Sequence, residues 1–448
     1  MEEVKNNIDI KRLLKLSIPI FLELILQVCL GNVDKIMVNN DNCANAIEQA
    51  NSILSLLTFS IAVLASGSLI LINQYKGAKD LQKEQTIYSL SFYFNLFLSF
   101  FLGVFIVIFA PMIYRLMNVS SEYFDQSLIY IRINGSLLFL QAIMLTLSSF
   151  LRSNSLVVAG FITSACSNIL NVILNALFLY VLNIEPIYAV ASATVISRIF
   201  GTIALFIILF KLSNVGLKFK NTFGKLKELK KLLKISLPSA GESFSYSLSQ
   251  VVILAIVNII GLKLTSAAPT ARTYVTIMVQ FSFIFTSSIT QGMQILLGRY
   301  LGAKEKDKAE RLIYKTLNIA LISSIIISAI QALLSPIVFG FFTENEEVVK
   351  LCTYIMWIEI GLEIGRAINI TLVRALQTAG DVMFPTLLAI IFCWAVAVVF
   401  SYVFGVEFKL GLVGVWIAMT IDELARAVIF IIRLKKGKWK ERNLVNVY

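Results

Sequence analysis

The chain has 448 residues, of which 58% are hydrophobic and 15% charged, with a formal net charge of +12 and no histidine; its mean hydropathy is +0.81. Soluble globular domains run about 45–50% apolar and about 25% charged, so this balance excludes that class. The lack of histidine excludes His-ligated metal centres, imidazole general bases and imidazole proton relays.

Apolar stretches long enough to cross a ~30 Å hydrocarbon core recur along the chain. They lack the period-two alternation of a membrane barrel, which leaves helices as the spanning elements. In chain order, the apolar windows and the polar breaks between them predict helices over 13–38, 45–74, 87–110, 128–150, 156–182, 187–212, 232–261, 268–298, 312–336, 349–375, 383–405 and 411–434. The fold class is therefore all-α polytopic membrane protein with twelve transmembrane helices. The start, Met1-Glu2-Glu3, precedes an apolar stretch that is too long for a signal peptide and has no small-residue cleavage site, so it reads as a retained first helix. Five cysteines (Cys29, Cys43, Cys166, Cys352 and Cys393) are odd in number and have no C-x-x-C spacing, which argues against a disulfide framework and a thiolate metal site.

An even helix count puts both termini on one side of the membrane. On that side fall Lys11, Arg12 and Lys15, the lysines of 211–234, the basic residues of 299–315 and those of 433–442. The opposite side has only Arg115, Arg132, Lys263, Lys350 and Lys409. The positive-inside rule then predicts a cell-membrane protein with both termini in the cytoplasm. Spread over several loops, this charge does not form the stripe of a nucleic-acid binder.

The chain also repeats itself. Leu13-Leu14-Lys15-Leu16-Ser17-Ile18-Pro19 recurs as Leu232-Leu233-Lys234-Ile235-Ser236-Leu237-Pro238. Gln74-Tyr75-Lys76-Gly77-Ala78-Lys79-Asp80 recurs as Arg299-Tyr300-Leu301-Gly302-Ala303-Lys304-Glu305, and Leu151-Arg152 as Val373-Arg374, giving offsets of 219, 225 and 222. Six helices per copy give parallel halves, so the expected organisation is an N-lobe over 1–212, a cytoplasmic linker over 213–231 and a C-lobe over 232–448, the lobes being pseudo-symmetric about a central cavity. The lysines of the linker suit a cytoplasmic tether and contact with anionic lipid.

An ionised side chain at the bilayer centre costs about 2.5–3.5 kcal/mol on insertion scales, so the polar residues inside the predicted helices need reasons. Glu23, Gln27 and Asp34 share one face of the first helix, at spacings of 4 and 7. The fifth carries Ser164, Asn168, Asn171 and Asn175, and the sixth Thr194 and Arg198. On the seventh, Glu242 shares a face with Ser239, Ser245, Tyr246 and Ser249. Glu359, Glu363 and Arg366 line one face of the tenth, and Asp422 and Arg426 lie one turn apart on the twelfth. Serine and asparagine stripes also serve as interhelical glue; Glu363 with Arg366, and Asp422 with Arg426, also suit structural ion pairs. Asp34 and Glu242 have no basic residue one turn away in a buried position; Lys35 is about 100° round the helix and can snorkel outwards.

The ordered set of these segments resembles the multidrug and toxic compound extrusion (MATE) family, within the superfamily that also holds flippases of lipid-linked oligosaccharides. The resemblance covers nearly the whole chain. It is carried by Val33-Asp34-Lys35-Ile36-Met37-Val38, Gly77-Ala78 with Gly302-Ala303, Asn171 to Asn175, Leu237-Pro238-Ser239-Ala240-Gly241-Glu242, Glu363-Ile364-Gly365-Arg366 with Asn369, Arg374-Ala375-Leu376, Gly380 to Pro385, and Gly414 to Trp416 with Asp422 and Arg426. It implies a two-lobe transporter that expels organic, often cationic, small molecules in exchange for H+ or Na+, without a cofactor and as a monomer. The family's N-lobe ion site maps onto Asp34, Asn171, Asn175 and Thr194, and Glu242, Tyr246, Glu363 and Arg366 are the candidates for the substrate cavity. The chain departs from the family pattern at Asn39-Asn40-Asp41-Asn42-Cys43, where a small, Gly-rich turn is usual, and at Tyr246, where many drug exporters carry the helix-seven acid. A flippase of a lipid-linked precursor is the alternative; its pyrophosphate would ask for a cationic cavity, whereas the intramembrane bases here are few and several have acids nearby.

Cysteines introduced within 213–231 and at Lys436 are expected to react with an impermeant maleimide only from the cytoplasm. Reaction of Glu346→Cys from that same face would overturn the twelve-helix topology.

Overall fold

The computed structural model describes residues 2–30, 33–38, 41–117, 119–442 and 444–445; the side chains of 2–9, 29, 30, 35, 36 and 41 are outside the described set. The side chains of Cys29 and Lys35, and Asn39 and Asn40 of the atypical loop, therefore lie outside the described set. Helix dominates what remains. In chain order come α1 (Glu2–Leu30), α2 (Val33–Val38), α3 (Asp41–Gly77), α4 (Leu81–Leu116), α5 (Phe124–Ser136), α6 (Leu138–Ser153), α7 (Val157–Ala176) and α8 (Pro186–Leu212). They are followed by α9 (Leu226–Lys263), α10 (Ala267–Gly302), α11 (Lys306–Phe342), α12 (Glu346–Thr378), α13 (Met383–Phe392), α14 (Val399–Tyr402) and α15 (Gly411–Lys435).

These helices fall into the twelve membrane segments expected, with differences that have local causes. The predicted first helix is represented by α1 and α2. The predicted fourth is α5 and α6, which meet at 47°; the bend follows Gly135-Ser136, a pair that commonly kinks helices. The fifth ends in a π-helical run, Leu177–Val181, and the eleventh holds two, Cys393–Val398 and Val403–Glu407. Among the described residues, eight helices are long and apolar enough to span a membrane, or nine with the bent pair taken as one. α12 and α15 are not among them, and both carry charges in their middle turns. Phe97, Phe101, Phe105 and Ile108 of α4 are exposed; so large an apolar face is a liability in water and ordinary in lipid.

Two compact units form, Leu22–Ser236 and Met1–Phe21 with Leu237–Tyr448, so the division falls inside α1 and α9. In the first unit α4 packs on α3, α5 and α6, while α8 packs on α6 and α7; Ile47, Ile61, Ile106, Tyr114 and Ile131 belong to its apolar core. In the second, α12 packs on α10, α11 and α15, around Ile253, Val257, Met356, Leu362 and Trp416. The segment that follows α8 is docked on α4. Gln85, Ser89 and Tyr93, spaced one turn apart on α4, bond the backbone of Asn214, Gly216, Leu217 and Lys218, and Phe219 packs on Tyr93.

The repeat is reproduced bond for bond in the turns after α3 and α10. Ala78 N–H donates to Gln74 O at 3.0 Å, and Asp80 N–H to Tyr75 O at 3.0 Å; Ala303 does the same to Arg299 O at 3.0 Å and Glu305 to Tyr300 O at 2.9 Å. Lys79 and Lys304 take left-handed backbone with φ of 57° and 62°. Glycine is required at two further equivalent positions, where helices meet closely. A Cβ on Gly67 would sit 2.0 Å from Ser236 Oγ, and one on Gly292 would sit 2.3 Å from Ser17 Oγ. Ser17 and Ser236 are the serines of the first repeated segment.

Gly67→Ala is expected to overpack this contact and destabilise the protein by about 1–3 kcal/mol, and Ser236→Gly in the same chain should restore stability. A Gly67→Ala protein that melts with the parent would contradict the close approach.

Candidate functional site

In the Leu22–Ser236 unit, Asp34 from α2 meets polar groups from α7 and α8. Asn175 Nδ2 donates to Asp34 Oδ1 at 2.7 Å, and Thr194 Oγ1 lies 3.4 Å from Asp34 Oδ2. Asn171 closes the ring: its Nδ2 donates to Thr194 Oγ1 and its Oδ1 accepts from Asn175 Nδ2, each at 3.4 Å. The helical period explains the arrangement, because residues 171 and 175 lie one turn apart on α7. Asn175 is fully buried and its Oδ1 has no hydrogen-bond partner, which is uncommon for a buried polar atom. The four residues proposed from sequence are thus together, while Ser164 and Asn168 make no hydrogen bond to Asp34.

Three neighbours complete the cluster. Arg198, one turn beyond Thr194 on α8, brings its charge within reach of Asp34 and Tyr130. The buried Tyr130 hydroxyl reaches Thr194 and Asn51. Asp34 therefore has a basic neighbour that comes from another helix and not from its own segment; the Thr194–Arg198 spacing places that arginine on the same face of α8 as Thr194. Glu23 and Gln27 do not join Asp34. Glu23 is buried against Arg152, with Oε2 and Nη2 2.9 Å apart, and Gln27 is exposed.

The Leu237–Tyr448 unit contains two buried acid–arginine–acid triads. Arg366 Nη1 lies 3.0 Å from Glu359 Oε1 and bonds Glu363 Oε1 as well. Trp416 Nε1 donates to Glu359 Oε2 at 2.6 Å, and Ser282 Oγ donates to Glu363 Oε2 at 2.5 Å. Arg426 lies 2.5 Å from Asp422 Oδ2 and 2.9 Å from Glu423 Oε1, and Asn369 Nδ2 donates to Glu423. Two carboxylates share one guanidinium in each triad, leaving an excess of acid. Tyr246 is within electrostatic reach of Arg366, Glu423 and Arg426. Glu242 lies apart from the Arg366 triad. Its Oε2 accepts from Gln377 Nε2 and Thr386 Oγ1 at 3.3 Å each, with the charges of Arg374 and Arg426 nearby. Like Asp34, Glu242 has a basic neighbour that helix spacing on its own segment did not predict. Trp416 and Ser282 were missed because their bonds cross between helices; Glu423, three residues before Arg426 on α15, was open to detection by helical spacing.

Arg366→Ala leaves two carboxylates buried without their cation, and breaking such a pair costs about 3–5 kcal/mol. Folded yield should fall steeply, and the combination Glu359→Gln, Glu363→Gln, Arg366→Met should recover it. Recovery by Glu363→Gln alone would show that Glu359 does not share the guanidinium.

Comparison with known proteins places this geometry in a family. The MatE family model matches residues 19–177 and 238–403, and the two matches begin at the equivalent prolines Pro19 and Pro238. A Bacillus subtilis relative described as "Uncharacterized transporter YisQ" is 30% identical over 438 residues, covering 96% of this chain and 95% of the relative. A Thermotoga maritima protein described as "Probable multidrug resistance protein NorM" is 25% identical over 445 residues, covering 96% of this chain and 93% of its own. The fold is that of a solved structure described as "Crystal structure of MATE in the bent conformation", with a TM-score of 0.90 at 19% identity, covering 97% of this chain and 96% of that one. That family of structures has twelve transmembrane helices in two lobes, and its members are transporters rather than enzymes. The chain belongs to the MatE family of multi-pass membrane transporters.

Proposed function

We propose that the protein is a secondary efflux transporter that exchanges H+ or Na+ for organic, cationic small molecules. It works as a monomer by alternating access of an N-lobe (1–212) and a C-lobe (232–448) joined by the cytoplasmic linker 213–231, with both termini in the cytoplasm of a cell-membrane protein. The observation that carries this reading is the cluster at Asp34. An anionic carboxylate, the hydroxyl of Thr194 and the carbonyl oxygens of Asn171 and Asn175 converge there, and Asn175 Oδ1 has no donor of its own. A proton on Asp34 neutralises the carboxylate. Sodium, a hard cation, prefers such oxygen ligands, and the same groups can surround it. Arg198 competes with either ion for the carboxylate, which favours release once the site opens to the side of low ion concentration.

The driving force is adequate. A one-for-one exchange of monovalent cations moves no net charge, so the ion gradient supplies the energy: each tenfold difference in H+ or Na+ is worth about 1.4 kcal/mol and can sustain about a tenfold difference in cargo. In the C-lobe, Glu242, Tyr246, Glu363 and Arg366 form the substrate cavity of this reading, and the excess acid of the triads gives it the sign suited to a cation.

Asp34→Asn keeps shape and polarity and removes the charge. Abundance and substrate binding should stay near the parent, while export by cells carrying the variant should fall to the level of cells lacking the transporter. Export against a gradient by Asp34→Asn would remove Asp34 as the coupling group.

A further inference from the structure

The two units carry the same first-helix acid in different company. Glu23 lies four residues beyond Pro19, and Glu242 four beyond Pro238, in the repeated segment. Glu23 is buried and ion-paired with Arg152 at 2.9 Å, from the last turn of α6. Glu242 is held instead by two neutral donors at 3.3 Å, Gln377 and Thr386.

The turns that end α6 and α12 decide which residue stands in the place of Arg152. Ser155 N–H donates to Arg152 O at 3.0 Å and Leu156 N–H to Leu151 O at 2.9 Å; Gly380 N–H donates to Gln377 O at 3.0 Å and Asp381 N–H to Leu376 O at 2.9 Å. Ser155 and Gly380 both take left-handed backbone, with φ of 61° and 91°. In this register, offset by 225 like the turns after α3 and α10, Arg152 corresponds to Gln377. Sequence similarity alone had aligned it with Arg374, which lies one turn earlier on α12. An amide thus replaces a guanidinium at the acid. Arg374 acts on Glu242 through space, and Arg426 is already engaged by Asp422 and Glu423.

We infer that Glu242 is the unlocked copy of Glu23: a carboxylate positioned by Gln377 and Thr386 to take a cation in the C-terminal unit, whereas Arg152 permanently neutralises Glu23 in the service of the fold. The ligand is an organic cation or an alkali cation; both are attracted by the carboxylate, and the oxygens of Thr386 and Gln377 add acceptors beside it. An arriving cation competes with guanidiniums that make no direct ion pair to Glu242. The inference rests on the proposed cation exchange, and it makes Gln377 a positioning residue.

The test uses the full-length protein, with tetraphenylphosphonium and Na+ as separate probes of binding and melting temperature as the stability readout. Gln377→Arg should rebuild the locked pair, melting at or above the parent temperature while binding of one probe weakens at least tenfold; the probe that weakens identifies the cation class. Arg152→Gln should instead lower the melting temperature by about 5 °C or more, with Glu23→Gln in the same chain recovering most of the loss. Glu242→Gln should melt within a degree or so of the parent, because no direct ion pair is lost. Parental binding of both probes by Gln377→Arg would overturn the inference. So would a Glu242→Gln protein as unstable as Glu23→Gln, a result that stands even if Gln377→Arg does not fold. If the parent binds neither probe, the cation-efflux reading fails on its own, and the melting comparison still decides whether the two acids differ.

Discussion

A charge buried in hydrocarbon must be met by a counter-charge or by several donors, and the interior of this protein is arranged around that requirement. Arginine is the usual answer. Arg152 meets Glu23, Arg366 meets Glu359 and Glu363, and Arg426 meets Asp422 and Glu423. These contacts cross between helices or clamp successive turns of one helix, so they also fix helix position. Just beyond the C-terminal end of α12 the same logic ties down the chain's C-terminal residues: Asp381 is fully buried and pairs with Arg433 and Arg442. Against this background two acids are compensated differently. Asp34 and Glu242 are bonded by neutral side chains, and the arginines near them make no direct ion pair with either. Incomplete compensation is costly for folding, and it is what an exchangeable cation requires.

The repeat gives the architecture a second layer of meaning. Its two copies share the serine–glycine close approach, the left-handed lysine turn and the first-helix acid, features that serve packing and chain direction. They differ where function is proposed. The position of Asp34 has no acidic counterpart at the repeat offsets, since Ile253 and Ile256 stand there. At the offset of 225 that the turns after α6 and α12 define, the triad residues of α12 and α15 correspond to Asn134, Leu138, Gln141, Ser197, Arg198 and Gly201, so of the six only Glu423 has a charged counterpart, Arg198, and its charge is of opposite sign. The lobes are alike as scaffolds and unlike as sites, which suits a transporter that handles a coupling ion and a cargo separately.

Much of this was legible in the sequence because it depends on short-range regularities. Apolar windows located the twelve segments, and helical spacing placed Asn171 with Asn175 and Glu359 with Glu363 and Arg366. What escaped depends on contacts between helices. Nothing local marks Trp416 as the donor to Glu359 or α4 as the dock for the segment after α8, and Arg198 is tied to Asp34 only through its one-turn spacing from Thr194. The register of Gln377 against Arg152 escaped for a different reason: Val373-Arg374 resembles Leu151-Arg152 by residue type, and only the hydrogen bonds of the following turn show the three-residue shift. The kink between α5 and α6 is intermediate, since Gly135-Ser136 was visible but its angle depends on packing.

The account's central claim is that movement of an organic cation is tied stoichiometrically to movement of a coupling ion. The direct measurement is made on purified protein in proteoliposomes carrying an imposed pH gradient or an imposed sodium gradient, with tetraphenylphosphonium added on one side. The account predicts that the cation dissipates one of the two gradients in a protein-dependent way and is itself driven uphill by that gradient. Cation flux that leaves both gradients unchanged and follows the membrane voltage alone would contradict it.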